Sequence, residues 1–171
     1  MTAPAVGLIS NPGSGHNRDQ FPRIRAQIEG CLAIHHVVTR SQEQIGPALA
    51  ELAAQDIDVL AINGGDGTCS AILGEMLESG LFPQLPLIAL LPGGTANMNA
   101  GDIGIRGSLA GATARFCDWC MRGPGAGDSR VERALMRVVA DAGQPPRFGM
   151  FLGAGAVIQG TDYAHREIHS R

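Results

Sequence analysis

Apolar positions along the chain alternate between short continuous runs and longer stretches with helical spacing. Val6-Gly7-Leu8-Ile9 is a short apolar run, and Phe21, Ile24 and Ile28 then recur on one helical face. Ile34 to Thr39 reads as a second strand. Ser41 with Gln44 three residues on is a capping-box signal, and Ile45, Leu49, Leu52 and Ala53 follow on one face. Val59 to Ile62 is a third apolar run, and Ala71, Ile72, Leu73, Met76 and Leu77 form a helix that Gly80 ends. Leu87 to Leu91 is apolar on both faces, the pattern of a central parallel strand. Ser108 to Met121 is a further helix, with Leu109, Thr113, Phe116, Cys117 and Cys120 on one stripe.

Strand and helix therefore alternate four times. That order predicts an α/β fold, a three-layer parallel sheet covered by helices on both faces. Gly123 to Asp128 breaks the pattern and reads as a linker. Beyond it, Val131 to Ala140 and Arg147 to Leu152 read as two strands joined by a turn. We expect residues 1–125 to form the α/β domain and residues 126–171 to begin a β-rich second domain that stays incomplete.

In a parallel sheet, ligands bind beyond the carboxyl ends of the strands. Three of the four strands end in polar, glycine-rich loops: Asn11-Pro12-Gly13-Ser14-Gly15, Asn63-Gly64-Gly65-Asp66-Gly67-Thr68 and Pro92-Gly93-Gly94-Thr95-Ala96-Asn97. Glycine permits positive φ and leaves no Cβ between backbone N–H groups and a phosphate. Thr68 stands where a helix begins and is expected to cap it. A carboxylate such as Asp66 suits a phosphate site when Mg²⁺ lies between the two. Each loop alone is also compatible with a tight turn and a helix cap. Their convergence on one sheet edge favours a phosphate site.

Composition narrows the chemistry. The chain has 171 residues, 44% of them apolar and 17% charged, with a net charge of −3, so it is globular. No dense basic run is present, and we expect no nucleic-acid partner. All 13 basic residues are arginine. Without lysine there is no P-loop lysine and no Schiff base, so phosphate charge falls to arginine, backbone N–H groups, helix ends or a metal. Arg18 is a candidate for that task, beside its plainer reading as a solvated side chain. The start of the chain lacks a signal-peptide pattern, no apolar run would span a bilayer, and the four cysteines do not form a disulfide framework. A reducing, cytoplasmic setting is expected. Cys117 and Cys120 read as core thiols, Cys69 as a helix-packing residue, and His165 with His169 lacks a third metal ligand.

The three loops, in this order and spacing, resemble the diacylglycerol kinase catalytic-domain family, which includes sphingosine, ceramide and bacterial lipid kinases. The Gly-Gly-Asp-Gly loop alone is shared with NAD kinases and 6-phosphofructokinases. The resemblance implies a nucleotide-binding domain followed by a β-rich lipid-binding domain, and ATP-dependent phosphorylation of a lipid hydroxyl with Mg²⁺. On that basis Gly64, Gly65, Gly67 and Thr68 would line the nucleotide phosphates. Asp66 would serve catalysis by positioning metal or phosphate, and Asn11, Ser14, Gly94, Thr95 and Asn97 would complete the pocket. After Asn97 the family often shows an Asp-Phe-Ala-Arg run; here Met98-Asn99-Ala100-Gly101 removes the basic residue, for which Arg106 is a substitute. The family's acidic motif, proposed to supply the catalytic base, falls late in the second domain, beyond Arg171. The resemblance thus covers mainly the nucleotide half. An NAD kinase-like enzyme and a non-catalytic nucleotide-binding fragment are the alternatives. The acceptor lipid and the oligomeric state are left open by the residues, and membrane contact would be peripheral, with no basic amphipathic helix to carry it.

Overall fold

The computed structural model describes residues 3–125, 127–139, 143 and 145–153. Four strands, β1 (Val6–Ser10), β2 (Ile34–Val38), β3 (Val59–Gly64) and β4 (Leu87–Pro92), form one parallel sheet in the order β2-β1-β3-β4. Helices α1 (Asn17–Glu29), α2 (Ile45–Ala53) and α3 (Asp66–Ser79) make the crossovers, and with α5 (Leu109–Arg122) they cover both faces. A short α4 (Met98–Asp102) follows β4. The pattern-based α/β prediction holds.

The side-chain alternation of the central strands divides the core. Ile9, Leu60 and Ile62 pack with Leu49, Leu52 and Ile72 of α2 and α3. Leu8, Ala61 and Leu91 face the other way, against Ile24 and Ile28 of α1 and Leu109 of α5. Every residue of β1 and β3 is buried. Gly7 has a packing reason, since a Cβ there would stand 2.9 Å from methyl carbons of Leu52 and Ile57.

One strand sits differently from its prediction. Among the described residues β4 pairs with β3 alone and lies at the edge of the sheet, and Leu87 at its start is 41% exposed. Helices cover its two faces further along, which is why it reads as apolar throughout without having strands on both sides.

Local signals set the helix ends. Ser108 accepts from the Gly111 N–H at 3.2 Å and caps α5. Gly80 takes a left-handed conformation, φ +63°, after α3. Ser41 makes no cap bond; Gln44 Oε1 instead accepts from the Arg40 N–H at 2.7 Å. The cysteine stripe of α5 is core, with Cys117 and Cys120 buried beside Cys31 and Val6.

A second sheet, antiparallel, pairs β5 (Met136–Val138) with β6 (Arg147–Gly149), both shorter than the sequence pattern predicts. It lies on the outer side of α3, where Phe148 meets Gly74. His165 and His169 fall outside the described residues. No helix among the described residues is long and apolar enough to cross a membrane.

Candidate nucleotide-phosphate site

The carboxyl ends of β1, β3 and β4 bring their loops into contact, as parallel pairing in register requires. The Asn11 N–H donates to the Asn63 carbonyl at 2.9 Å, and the Asn17 N–H to the Gly93 carbonyl at 3.1 Å. One site is thus assembled from three distant stretches of sequence.

At its centre is the N-terminus of α3. The helix starts at Asp66, with Gly65 in extended conformation before it and no side-chain cap. Thr68 is therefore not the cap expected of it; it is the third residue of the helix. Its hydroxyl receives the Asn11 side-chain N–H at 2.9 Å and lies 3.1 Å from the Ser14 hydroxyl. Among the described residues no acceptor meets the N–H groups of Asp66, Gly67 or Thr68. A helix start with free amides favours a bound anion.

The glycines act by contact rather than by φ. None of Gly64, Gly65, Gly67, Gly93 and Gly94 has a positive φ; the left-handed residue of these loops is Asn97, at +51°. A Cβ on Gly94 would lie 2.3 Å from the Gly65 Cα, and one on Gly64 2.6 Å from the Thr68 Cβ. Gly94 is glycine because the β3 and β4 loops touch backbone to backbone there, and Gly64 because the Thr68 side chain packs against it. Gly67 differs, for a Cβ there would meet nothing within 4 Å.

Asp66 ties two loops together. Its Oδ2 accepts from the Met98 N–H at 3.0 Å and its Oδ1 from the Asn99 N–H at 2.9 Å, so it caps α4 from another loop. Asn97 spends its side chain on its own turn, accepting from the Gly94 N–H at 2.8 Å and donating to the Gly94 carbonyl at 2.7 Å. Thr95 is exposed, and its hydroxyl packs against Gly15. Arg18 is exposed in the first turn of α1, and Arg106 in the loop after α4. Cys69 lines the cleft as a neutral thiol, pushed up to about 11 by burial.

The space between the β3 and β4 loops is about 210 Å³, open solvent included, and Gly65, Asp66, Leu90 and Asn97 are among its lining residues.

A polar layer under the loops was not foreseen. Asn63 Nδ2 donates to the Ser10 hydroxyl at 3.1 Å, and His36 Nε2 stands 2.8 Å from the same oxygen. Asn17 and Asn63 are wholly buried. A signal existed in Ser10 and Asn63, polar residues that close otherwise apolar strands.

The diacylglycerol kinase catalytic-domain family model matches residues 5–122, more than half of the chain. The chain belongs to the diacylglycerol kinase catalytic-domain family. A probable lipid kinase YegS-like of Stenotrophomonas maltophilia is 35% identical over 109 residues, covering 61% of this chain and 34% of that protein. A crystal structure of a putative diacylglycerol kinase from Bacillus anthracis shares 24% identity at a TM-score of 0.56, covering 69% of this chain and 43% of that one. A further structure of a putative diacylglycerol kinase from that organism shares 25% identity at a TM-score of 0.56, over 68% and 42%. The chain spans about a third of the length of its curated relative. Within the family's glycine loops, Gly65 and Gly94 set how closely the loops of this diacylglycerol kinase-like chain approach, Gly64 makes room for the Thr68 side chain, and Gly67 faces open space.

Proposed function

We propose that this chain is the nucleotide-binding part of an ATP-dependent lipid kinase, which transfers the γ-phosphate of ATP to a lipid hydroxyl. Residues 1–125 form the nucleotide domain on this reading, and residues 126–171 open a β-rich second domain. The observation that carries it is the meeting of three loops around α3 amides that have no acceptor among the described residues. Those amides, on Gly67 and Thr68, would receive phosphate oxygens. Asn11 and Ser14 would hold the Thr68 hydroxyl in place, and Asp66 would keep the β4 loop against the β3 loop.

The residues present suit Mg²⁺ through Asp66. Each Asp66 oxygen accepts one amide hydrogen bond and retains a second lone pair. Among the described residues no three acidic, histidine or cysteine side chains converge on one point. Mg²⁺ is commonly held by one or two carboxylates plus substrate phosphates and water. The donor set fits an ion that arrives with the nucleotide, held by Asp66; when bound, it would neutralise phosphate charge. In transfer, the lipid hydroxyl oxygen would bond to the γ-phosphorus as the bond to ADP breaks, and the family's acidic motif would take the proton. Catalysis would rest on positioning and charge stabilisation. The free, buried cysteines support a cytoplasmic, reducing setting, and contact with the lipid's membrane would be peripheral.

Gly67→Glu tests the reading. A carboxylate in the first helical turn favours the helix, and no neighbour stands in its way. It would repel phosphate. Calorimetry with Mg-ATP should give saturable binding to the wild-type chain, and binding weakened at least tenfold in Gly67→Glu at an unchanged melting temperature. Equal affinity in the two proteins would remove the α3 amides from the site.

A further inference from the structure

We propose that Asn17 is a positioning residue that sets the mutual spacing of all three phosphate-edge loops. The inference rests on the nucleotide-site reading and adds a residue to it.

Asn17 is the first residue of α1 and is wholly buried. The other buried residues of that helix are Phe21, Ile24 and Ile28, so an amide there is out of character. Burying an amide without partners costs roughly 1–3 kcal/mol on mutational scales. Here the partners belong to the three loops. The Asn17 N–H holds the Gly93 carbonyl of the β4 loop at 3.1 Å. Its side-chain Nδ2 donates to the Asn11 carbonyl of the β1 loop at 2.9 Å. The same nitrogen donates to Asn63 at the end of β3, to Oδ1 at 3.0 Å and to the carbonyl at 3.3 Å.

The orientation of the amide follows from these neighbours. Nδ2 faces three oxygens, and Oδ1 has no partner among the described residues. Turning the amide over would set Oδ1 against the Asn11 and Asn63 carbonyls. A donor is required on that side. Gly93 fits the same demand: a Cβ there would lie 2.6 Å from both Asn17 Nδ2 and Asn63 Oδ1. From Asn63 the chain of bonds continues to Ser10 and His36, so one helix residue is linked to β1, β2 and β3 together. Moving it alters the distance between the Gly65 and Gly94 backbones, and with it the gap that a phosphate would enter.

The experiment compares Asn17→Ala with Ile28→Ala, which weakens the same helix away from the loops. In the ligand-free proteins, hydrogen exchange should speed up at least tenfold at the Asn11, Gly65 and Gly94 amides in Asn17→Ala. Ile28→Ala should leave those three amides unchanged relative to the rest of the sheet. Mg-ATP affinity should fall at least tenfold in Asn17→Ala and less than twofold in Ile28→Ala. Should Asn17→Ala not fold, Asn17→Ser, which keeps one donor, carries the same comparison with an intermediate effect. Loop exchange that responds alike in both variants overturns the proposal. So does loop exchange that rises with Mg-ATP affinity within twofold of wild type. If the wild-type chain binds no Mg-ATP, the nucleotide reading fails, and the ligand-free exchange still decides whether Asn17 spaces the loops.

Discussion

The parallel sheet and the β5–β6 hairpin solve the same problem by different means. Every side chain of β1 and β3 is buried between helices that the intervening sequence itself supplies. Among its described residues the hairpin buries one side chain, Phe148, and leaves Met136 partly and Val139 half exposed nearby. It depends on the outer face of α3: the Ser70 hydroxyl donates to the Phe148 carbonyl, and Arg137 pairs with Glu78 at 3.4 Å. Gly74 leaves room for the ring, since a Cβ would stand 3.1 Å from it. That room costs α3 about 0.5–1 kcal/mol in helix propensity relative to alanine. An isolated two-stranded hairpin is marginal in water. The sheet carries its own stability, whereas the hairpin takes its order from a helix whose other face is committed to the sheet.

Two truncations put that contrast to the test. Leu60→Ala, in the centre of β3, should lower global stability by about 2–5 kcal/mol and move the whole denaturation curve. Phe148→Ala should free β5 and β6 in hydrogen exchange while the sheet unfolds at nearly the wild-type denaturant concentration. A global loss as large as that of Leu60→Ala would show that the hairpin belongs to the same cooperative unit.

Asp66→Asn sharpens the contrast within the site. It replaces one acceptor with a donor facing the α4 amides, a change of order 1–3 kcal/mol for a buried group and less here because Asp66 is partly exposed. Exchange at Met98 and Asn99 should rise, Mg-ATP affinity should fall, and the hairpin should be untouched. Protection at those two amides equal to wild type would contradict the capping role.

The smallest effect is expected from His36 on β2, at the sheet's other edge. Burial holds its pKa below the ordinary 6.5, opposed by Glu29 and assisted by Arg25. The neutral ring is the folded state's preference. Its stability contribution is therefore complete above pH 6.5 and is lost as pH falls through the lowered value. Thermal melts from pH 7.5 to 5 should decline, and His36→Gln should flatten that decline. An unchanged slope in the variant would assign the pH dependence elsewhere.

The strand–helix alternation, the stripe of α5 and the three loops were all legible in the sequence, because each depends on residues a few positions apart. Gly64-Gly65-Asp66-Gly67-Thr68 announced a strand-to-helix turn, and its combination with Asn11 to Gly15 and Pro92 to Asn97 pointed to the family. The roles inside those loops were less legible. Thr68 was expected to cap a helix and instead receives Asn11. The glycines were expected to permit positive φ and a close approach of backbone to phosphate; none of Gly64, Gly65, Gly67, Gly93 and Gly94 takes positive φ, and Gly65 and Gly94 let their backbones touch. Asn97 was expected to complete the pocket, and its side chain instead bonds the Gly94 backbone of its own turn. Asn17 carried no local mark at all.

By itself, then, the sequence determined the periodicities, the breaks between them and the order of elements, which are properties of neighbours along the chain. Tertiary structure decided that β4 lies at an edge, that Asp66 caps a helix 32 residues away, and that Asn17 meets Asn63 across 46 residues. Those contacts exist only once the crossovers have set parallel strands in register. A glycine required by a partner's backbone, or an asparagine required by the oxygens of Asn11 and Asn63, cannot be distinguished from any other until the partners have arrived.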